Sequence, residues 1–354
     1  MKIRGVSAEI RHLAKLGTAA RGYAALDAPA FVLCRVEGED GLVGQGVTGR
    51  FLAPQVAELL NTGIAEALAG QDARRIEAVG PMLTARFNPR GLGTVLTAAI
   101  SALDMALWDL RARALGEPLW RLLGGARTEV PCYATVGLPG YSEEQLVQVC
   151  RDAISGGYVG VKMLVAAGGR SVAEDAARVR AVRAAIGPDA CLILDANCGM
   201  QLGDAKRLAR MVEECDIAWF EEPLRDNDIE GLVALRRAVR MPLGAGQMMH
   251  SLTWFREALA RGALDWVQPN AAFCGGITGL LRVLALAEAH GVPVAHAGGW
   301  DIANAAALAA HGAGGWLEMH GAQASLRAML EEDMVAEGGV MRLPDRPGIG
   351  FAFR

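Results

Sequence analysis

Several features that would place a chain in a broad class are scarce or missing. The seven cysteines form no Cys-x-x-Cys pair and are odd in number, which argues against a disulfide framework and favours reduced thiols in a cytosol. No apolar run approaches roughly 18 residues, and the start, MKIRGVSAEI, lacks the apolar core of a signal peptide. Lysine and arginine are scattered and the net charge is −4, which argues against nucleic-acid binding. We therefore expect a cytoplasmic protein that contacts neither membrane nor nucleic acid.

The N-terminal third has the pattern of a small mixed domain. Residues 30–37 (AFVLCRVE) are strand-like, GEDG reads as a turn, and LVGQGVT is the expected partner strand. From Pro54 to about Leu115 the apolar period becomes helical, most clearly in TVLTAAISALDMALWDLRARAL. These patterns predict an α+β capping domain over residues 1–125.

From Val130 onward, strand-like and amphipathic segments alternate. The strand-like runs are VPCYATVG, YVGVKML, ACLILDA, DIAWFEE, MPLGAG, LDWVQPN, GVPVAHA and GGWLEMH. This alternation predicts an α/β barrel over residues 126–329, with functional side chains at the C-terminal ends of the strands. The Gly- and Pro-rich tail, residues 330–354, is expected to pack back on the capping domain.

Three oxygen-bearing side chains follow successive strands at equal spacing. Asp195, Glu221 and Gln247 are separated by 26 residues each time (221 − 195 and 247 − 221), which is one strand–helix–strand step. Hard cations such as Mg²⁺ prefer carboxylate and amide oxygens, so the series predicts a metal site. Asp195 and Glu221 could instead be N-caps of the following helices, and the uncharged Gln247 could contact substrate or act through a water.

Polar residues also end the other predicted strands. They are Lys162, Asn270, His296 and Glu318, with His320 on the same face as Glu318. Burial would lower the pKa of Lys162 toward the range of a base, whereas a lysine at the rim would simply reach solvent. His296 could be an ordinary strand-end imidazole. Asn197, two residues after Asp195, is a further candidate for substrate contact.

The motifs resemble one family over nearly the whole chain. SALDMALWDLRARALGEPLWRLLGG, GYVGVKM, LDANCG, WFEEP, VQPN, CGGITG, GVPVAHAGGW, WLEMH and PGIGF are similar to segments of the enolase superfamily, specifically its mandelate racemase-like subgroup. The resemblance implies a modified (β/α)₇β TIM-type barrel with an N-terminal α+β capping domain, assembled as a homo-oligomer. It also implies abstraction of a proton α to a carboxylate, with Mg²⁺ holding the enediolate.

The resemblance implies metal ligands and a base, and this chain departs from the subgroup pattern at one ligand and at the base. Asp195 and Glu221 match the first two metal ligands, and Gln247 falls where the third, normally Glu, belongs. Lys162 matches the first lysine of a Lys-x-Lys motif whose second lysine, the usual base, is Leu164 here. Leucine cannot take a proton, and the metal site is one negative charge short.

Further departures lie on the later strands. Asn270 falls where the subgroup has the Asp of a His–Asp dyad, and His296 lies one residue before the expected His, at Ala297. Glu318 matches the glutamate that donates a hydrogen bond or proton to the substrate carboxylate. Glu222 is the nearest carboxylate that could compensate at the metal site, although the strand pleat should turn it away.

Three functions are compatible with this pattern. The first is a Mg²⁺-dependent lyase that dehydrates an acid sugar, with Lys162 as base or carboxylate clamp, His296 or His320 as acid and Glu318 as enediolate partner. Because racemisation needs two bases, Leu164 argues against it in its usual form. The second is a repurposed, non-catalytic member that binds a carboxylate, which a metal titration would distinguish.

The third function is a racemase, epimerase or cycloisomerase acting on a carboxylate or lactone. The loops of the capping domain should then select the substrate, because that domain closes over the barrel mouth in this family. Arg21, Tyr23 and Arg50 lie in those loops and are candidate substrate contacts; exposed side chains in solvent are the alternative.

Overall fold

The computed structural model describes residues 1–13, 30–88, 90, 93–332, 334 and 336–354. Arg21 and Tyr23 lie outside these residues. The strands are β1 Ile3–His12, β2 Ala30–Gly38, β3 Val43–Thr48, β4 Glu129–Gly137, β5 Gly160–Leu164, β6 Cys191–Asp195, β7 Ile217–Glu221, β8 Leu243–Ala245, β9 Trp266–Val267, β10 Leu317–His320, β11 Ala336–Glu337 and β12 Val340–Arg342. The α-helices are α1 Ala53–Leu59, α2 Ala65–Leu68, α3 Ile76–Phe87, α4 Thr94–Leu115, α5 Leu119–Leu122, α6 Glu143–Ser155, α7 Val172–Ile186, α8 Leu202–Met211, α9 Ile229–Arg236, α10 Leu252–Ala260, α11 Gly276–His290, α12 Asp301–Ala310 and α13 Ala324–Arg327.

The N-terminal part is a three-stranded antiparallel sheet, in the order β1-β2-β3, covered by helices. The predicted strands around GEDG and the predicted long helix α4 are confirmed. Helix α4 lies directly on β3 because that strand presents glycines: a Cβ on Gly44 or Gly46 would come within 2.0 Å of a backbone oxygen of α4. Side chains at these two positions would push the helix off the sheet.

The second part is a closed barrel of parallel strands. Strands β4 to β9 follow one another in order, and β10 pairs with β4 to close the ring. The predicted strand GVPVAHA is not a regular strand, although the isolated parallel bridges Val267–Val294 and Ala295–Trp316 pair it with both of its neighbours. Pro293 in this segment has no N–H to donate, which limits pairing on its side of the ladder. No helix in the described part of the chain is both long and apolar enough to span a bilayer.

The C-terminal tail contacts both parts. Strand β12 pairs antiparallel with β4, while the backbone N–H of Ile349 donates to Asp109 of α4 at 2.7 Å. The N–H of Phe353 donates to Gln45 of β3 at 3.0 Å. The tail therefore fastens the capping helix and sheet to the barrel. The predicted boundaries, at residues 125/126 and 329/330, stay predictions.

A second joint connects α4 to the start of α11. Helix α11 begins after Gly275, which has no side chain to cap it. Instead Ser101 Oγ accepts the N–H of Gly275 at 2.9 Å, and Asp104 Oδ1 accepts the N–H of Thr278 at 3.0 Å. Helix α4 thus provides the hydrogen-bond acceptors that the N-terminus of α11 needs.

Aromatic side chains close the interior of the barrel below the site. Tyr133, Trp219, Trp266 and Trp316 are packed together, with Trp219 and Trp266 ring centroids 4.7 Å apart. Because this layer is filled, any ligand must bind on the other side of it, at the C-terminal ends of the strands.

Candidate active site

The strand register places the candidate site residues in two layers. Leu164, Asp195 and Glu221 are direct neighbours on β5, β6 and β7, so their side chains lie in one layer. Lys162 pairs with Ile193 and lies one layer deeper. Gln247 follows the end of β8 by two residues. The equal spacing in the sequence therefore corresponds to adjacent strand ends for Asp195 and Glu221, and to a loop for Gln247.

Lys162 is the centre of the charge distribution in the site. Its Nζ lies 2.7 Å from Glu221 Oε1, 2.7 Å from Glu318 Oε1 and 3.4 Å from Asp195 Oδ2, and only 1% of the side chain is exposed. Burial disfavours the ammonium, but Glu221 and Glu318 outweigh it, so the pKa of Lys162 lies well above its ordinary value. The expectation of a lowered pKa is wrong, because it counted burial and not the surrounding carboxylates.

Glu318 accepts hydrogen bonds on both oxygens. Thr135 Oγ1 donates to Oε1 at 2.5 Å, beside the Lys162 contact, and the N–H of Gly299 donates to Oε2 at 2.6 Å. Burial raises the pKa of Glu318, but the ammonium of Lys162 outweighs it and holds the pKa below its usual range. A carboxylate held in this state accepts hydrogen bonds, so the geometry does not support the predicted proton-donor role.

Asp195 and Glu221 are buried carboxylates that share this one ammonium. Burial raises the pKa of both above their ordinary values, and Lys162 opposes that rise. The alternative that they are helix N-caps is wrong: the residues that precede α8 and α9 are Gln201 and Asp228. Glu221 is instead held by Gln268 Nε2, which donates to its Oε2 at 2.6 Å.

The side chain of Glu222 contacts Gln247, another of the candidate metal ligands. Strand β7 ends at Glu221, and Glu222 adopts a left-handed backbone with φ 40°, so the alternation of a strand no longer decides its direction. Its Oε2 accepts from Gln247 Nε2 at 2.6 Å and its Oε1 from Asn227 Nδ2 at 2.7 Å. Burial and the charge of Glu221 raise the pKa of Glu222 to about 7. The expectation that the pleat turns Glu222 away is therefore wrong.

His296 is fully buried and both of its ring nitrogens meet backbone groups. Nε2 lies 2.6 Å from the carbonyl oxygen of Gly299, and Nδ1 accepts the N–H of Glu318 at 3.2 Å. This pattern corresponds to a neutral ring protonated on Nε2, and burial lowers the pKa of His296 to about 4. The geometry does not support His296 as the acid; it tethers the loop after residue 296 to β10.

Asn270 also has its hydrogen-bonding groups occupied within the protein. Its Nδ2 donates to the carbonyls of Ala297 and Gly299 at 2.7 and 2.9 Å. Its Oδ1 accepts from the N–H of Ala272 and from Asn304 Nδ2 at 3.0 and 3.1 Å. A fully buried amide with these partners does not support the predicted substrate contact, and holds two loops together instead.

The remaining predicted contacts are His320 and Asn197, and both are at least partly exposed to solvent. His320 ends β10 and pairs in register with Thr135 of β4; burial lowers its pKa, and Glu318 and Lys162 are the charges that act on it most. Asn197 is exposed, and its N–H donates to Asp195 Oδ1 at 2.8 Å. The roles of both residues stay predictions.

Arg50 lies in the loop that follows β3. Its guanidinium is 5.2 Å from the ring centroid of Phe51, which packs 6.4 Å from Phe273. Thr48 Oγ1 donates to the carbonyl of Ala272 at 2.7 Å. This capping-domain loop therefore lies against the loop after β9, and the role of Arg50 in substrate binding stays a prediction.

Three residues of the site were missed from the sequence: Thr135, Gln268 and Asn227. Thr135 and Gln268 each lie two residues before the end of the segments VPCYATVG and LDWVQPN, so a search of the last residues of every strand for hydrogen-bonding side chains would have found them. Asn227 gave no signal, because its position depends on the left-handed backbone of Asp226 and of Asn227 itself.

The candidate ligands for a hard cation are two carboxylates, Asp195 and Glu221, and one amide, Gln247. No three His, Cys, Asp or Glu side chains converge as a metal cluster among the residues described. However, the buried carboxylates of Asp195, Glu221 and Glu318 lie within 3.4 Å of the ammonium of Lys162, and a fourth buried carboxylate, Glu222, follows Glu221 in the chain. The excess negative charge, and the carboxylate and amide oxygens at the strand ends, suit a divalent cation with oxygen ligands.

Comparison with known proteins gives consistent matches over the chain. Residues 145–354 match the family described as enolase C-terminal domain-like, and residues 18–124 match the mandelate racemase / muconate lactonizing enzyme N-terminal domain. A 3,6-anhydro-alpha-L-galactonate cycloisomerase of Streptomyces coelicolor is 33% identical, covering 90% of this chain and 88% of the relative. An L-talarate/galactarate dehydratase of Salmonella typhimurium is 32% identical, covering 91% and 80%. The crystal structure of a Streptomyces coelicolor racemase with bound magnesium superposes with a TM-score of 0.90 at 30% identity, covering 99% and 97%.

Proposed function

Because the chain belongs to the mandelate racemase and muconate lactonizing enzyme family of the enolase superfamily, we propose that it is a Mg²⁺-dependent lyase for an acid sugar. The reaction removes the proton α to the carboxylate and expels the hydroxyl on the neighbouring carbon. One observation carries the proposal: buried carboxylates at adjacent strand ends surround a single lysine. An anionic substrate can enter such a site only with a further cation.

The residues that would hold Mg²⁺ are Asp195, Glu221 and Gln247. The ion would offset the negative charge that develops on the substrate carboxylate as the α-proton leaves. Lys162 provides a second, fixed positive charge, held in place by Glu221 and Glu318. Since the pKa of Lys162 lies well above its ordinary value, we assign it to binding and orienting the substrate carboxylate and not to taking its proton.

We assign proton transfer to His320. Leu164 has no titratable group, and both ring nitrogens of His296 face backbone. His320 lies on β10, half-buried and within electrostatic range of Lys162 and Glu318. Its lowered pKa favours the neutral imidazole near neutral pH, which is the form a base needs. The same ring, once protonated, can give its proton to the departing hydroxyl.

A cycloisomerase is the second candidate, and the Streptomyces coelicolor relative favours it. Ring opening by elimination also starts with α-proton removal and needs the same single base. A ring oxygen then leaves in place of a free hydroxyl. The two candidates therefore differ in the substrate and not in the roles assigned to Lys162 and His320.

The test is α-proton exchange in D₂O with Mg²⁺, followed by NMR over a panel of acid sugars and their anhydro and lactone forms. We expect one acid sugar to lose its α-proton signal and to yield a 2-keto-3-deoxy acid. Conversion of an anhydro sugar or lactone alone would favour the cycloisomerase. If no compound exchanges, the non-catalytic carboxylate-binding function replaces both, and a site that binds no Mg²⁺ even with a carboxylate ligand present would support that function.

Assembly and location belong to the same proposal. A homo-oligomer in the cytoplasm fits the family resemblance. Light scattering of the purified chain and fractionation of cells that express it would test these two predictions.

A further inference from the structure

We propose that Glu222 and Gln247 act as one unit at the metal site: Glu222 fixes the orientation of the Gln247 amide and contributes the negative charge that the amide lacks. The inference rests on the Mg²⁺ site of the proposed function. It assigns a role to a residue pair in which position 247 is an amide, where the family resemblance implies a carboxylate.

The two side chains are held against each other away from solvent. Glu222 is 3% exposed and Gln247 is 6% exposed. The left-handed backbone at Glu222 (φ 40°) turns its carboxylate toward the loop after β8, where Oε2 accepts from Gln247 Nε2 at 2.6 Å. Asn227 Nδ2 holds the other oxygen at 2.7 Å. Glu222 is therefore fixed from both sides.

This contact determines which end of the amide is available. Glu222 Oε2 accepts a hydrogen bond from the NH₂ group of Gln247, so that group faces Glu222. The amide oxygen is then at the opposite end, beside Gly298, where a Cβ would lie 3.1 Å from it. An amide binds a hard cation through its oxygen, and the contact with Glu222 engages the nitrogen and not that oxygen.

Glu222 also offsets the loss of a negative charge that follows from having an amide at position 247. With Gln at 247, Asp195 and Glu221 are the charged members of the predicted ligand set. Glu222 lies next to Glu221 in the chain and is hydrogen-bonded to Gln247. Its carboxylate places a third negative charge beside position 247 once a bound cation favours the ionised form. The orientation of the Gln247 amide and the third negative charge both depend on the carboxylate of Glu222. Removing this carboxylate should therefore weaken cation binding for two reasons.

The test measures Mg²⁺ binding, not turnover. Isothermal titration with Mg²⁺ alone compares the wild type, Glu222→Gln, Gln247→Glu and the double variant Glu222→Gln/Gln247→Glu. We expect Glu222→Gln to weaken binding by about 10-fold or more, in line with the usual effect of orienting partners around metal ligands. In the double variant, where the new carboxylate at position 247 carries its own charge and the new amide at position 222 can donate to it, we expect affinity within about threefold of the wild type.

Controls separate the possible failures. Glu230→Gln, an exposed carboxylate on α9, should bind Mg²⁺ as the wild type does, and thermal unfolding without metal checks that each variant folds. If Glu222→Gln causes the same loss alone as it does when added to Gln247→Glu, or no loss in either case, the pairing is overturned and the proposed function stands. A wild type that binds no Mg²⁺ would overturn the proposed function, and the pairing with it.

Discussion

Leu164 is paired with Asp195 across strands β5 and β6, so an apolar side chain lies in the layer that carries the candidate metal ligands. Leu164 is 4% exposed, and its side chain points to the same side of the strand as Lys162. This face of the pocket therefore has a fixed cation in its lower layer and no proton acceptor above it.

Leu164→Lys should add proton transfer on this face. A positioned base typically contributes about 10²- to 10⁴-fold to proton transfer, so we expect new or faster exchange of the α-proton of a carboxylate that the wild type binds. The measurement is deuterium incorporation by NMR in D₂O. Leu164→Met, which keeps size and polarity, is the matched control and should behave as the wild type. Unchanged exchange in a Leu164→Lys variant that still binds Mg²⁺ would show that this face does not meet the α-carbon.

Lys162→Met should destabilise the fold and remove activity. The change leaves Asp195, Glu221 and Glu318 without their shared ammonium, and breaking a buried ion pair from one side typically costs about 3–5 kcal/mol. Urea unfolding without metal measures the loss. Saturating Mg²⁺ should recover more stability in the variant than in the wild type, because the ion would offset the same charges. The exposed Lys2→Met is the control; a similar loss there would mean that the effect is not local.

The two histidines should respond differently to substitution. His320→Asn should lower kcat by about 10²- to 10⁴-fold while leaving Mg²⁺ affinity unchanged, because it removes the proposed acid–base group. His296→Asn should mainly lower stability, by about 1–3 kcal/mol, since it leaves buried backbone groups without partners. Single-turnover rates and unfolding curves of both variants provide the comparison. The reverse ranking would assign the chemistry to His296.

Asp104 should make stability depend on pH. Burial raises the pKa of Asp104 to about 7, although hydrogen bonds from Thr278 oppose the rise. The folded state then holds a proton that the unfolded state, with an ordinary pKa near 4, releases. The free energy of unfolding should therefore fall as pH rises from about 4 to 7.

Two variants at this position test the assignment. Asp104→Asn keeps an acceptor for the N–H of Thr278, so it should fold and reduce the slope of unfolding free energy against pH between about pH 4 and 8. The slope that remains comes from the other buried carboxyl groups with raised pKa values, such as Glu222. Asp104→Ala removes that acceptor and should cost about 1 kcal/mol, as loss of a helix cap does. If Asp104→Asn keeps the wild-type slope, another group is responsible for it.

Much of the architecture could be read from the chain. The spacing of apolar residues placed α4 at its observed bounds, and the alternating segments predicted the barrel, because periodicity depends only on local geometry. The segment GVPVAHA failed as a strand for a reason that is also local, since Pro293 cannot donate to a ladder. The equal spacing of Asp195, Glu221 and Gln247 located the site.

The sequence by itself determined that Asp195, Glu221 and Glu318 lie at one end of the barrel, because strand ends in a parallel barrel share one edge, but it did not identify Thr135, Gln268 and Asn227 as their neighbours. Only the tertiary structure decided their state and direction. Burial alone would have made Lys162 a base, but three carboxylates from different strands raise its pKa. Strand alternation would have turned Glu222 outward, but one residue with positive φ brings it to Gln247. Such outcomes depend on charges and backbone angles contributed by segments far apart in the chain, and no local pattern records them.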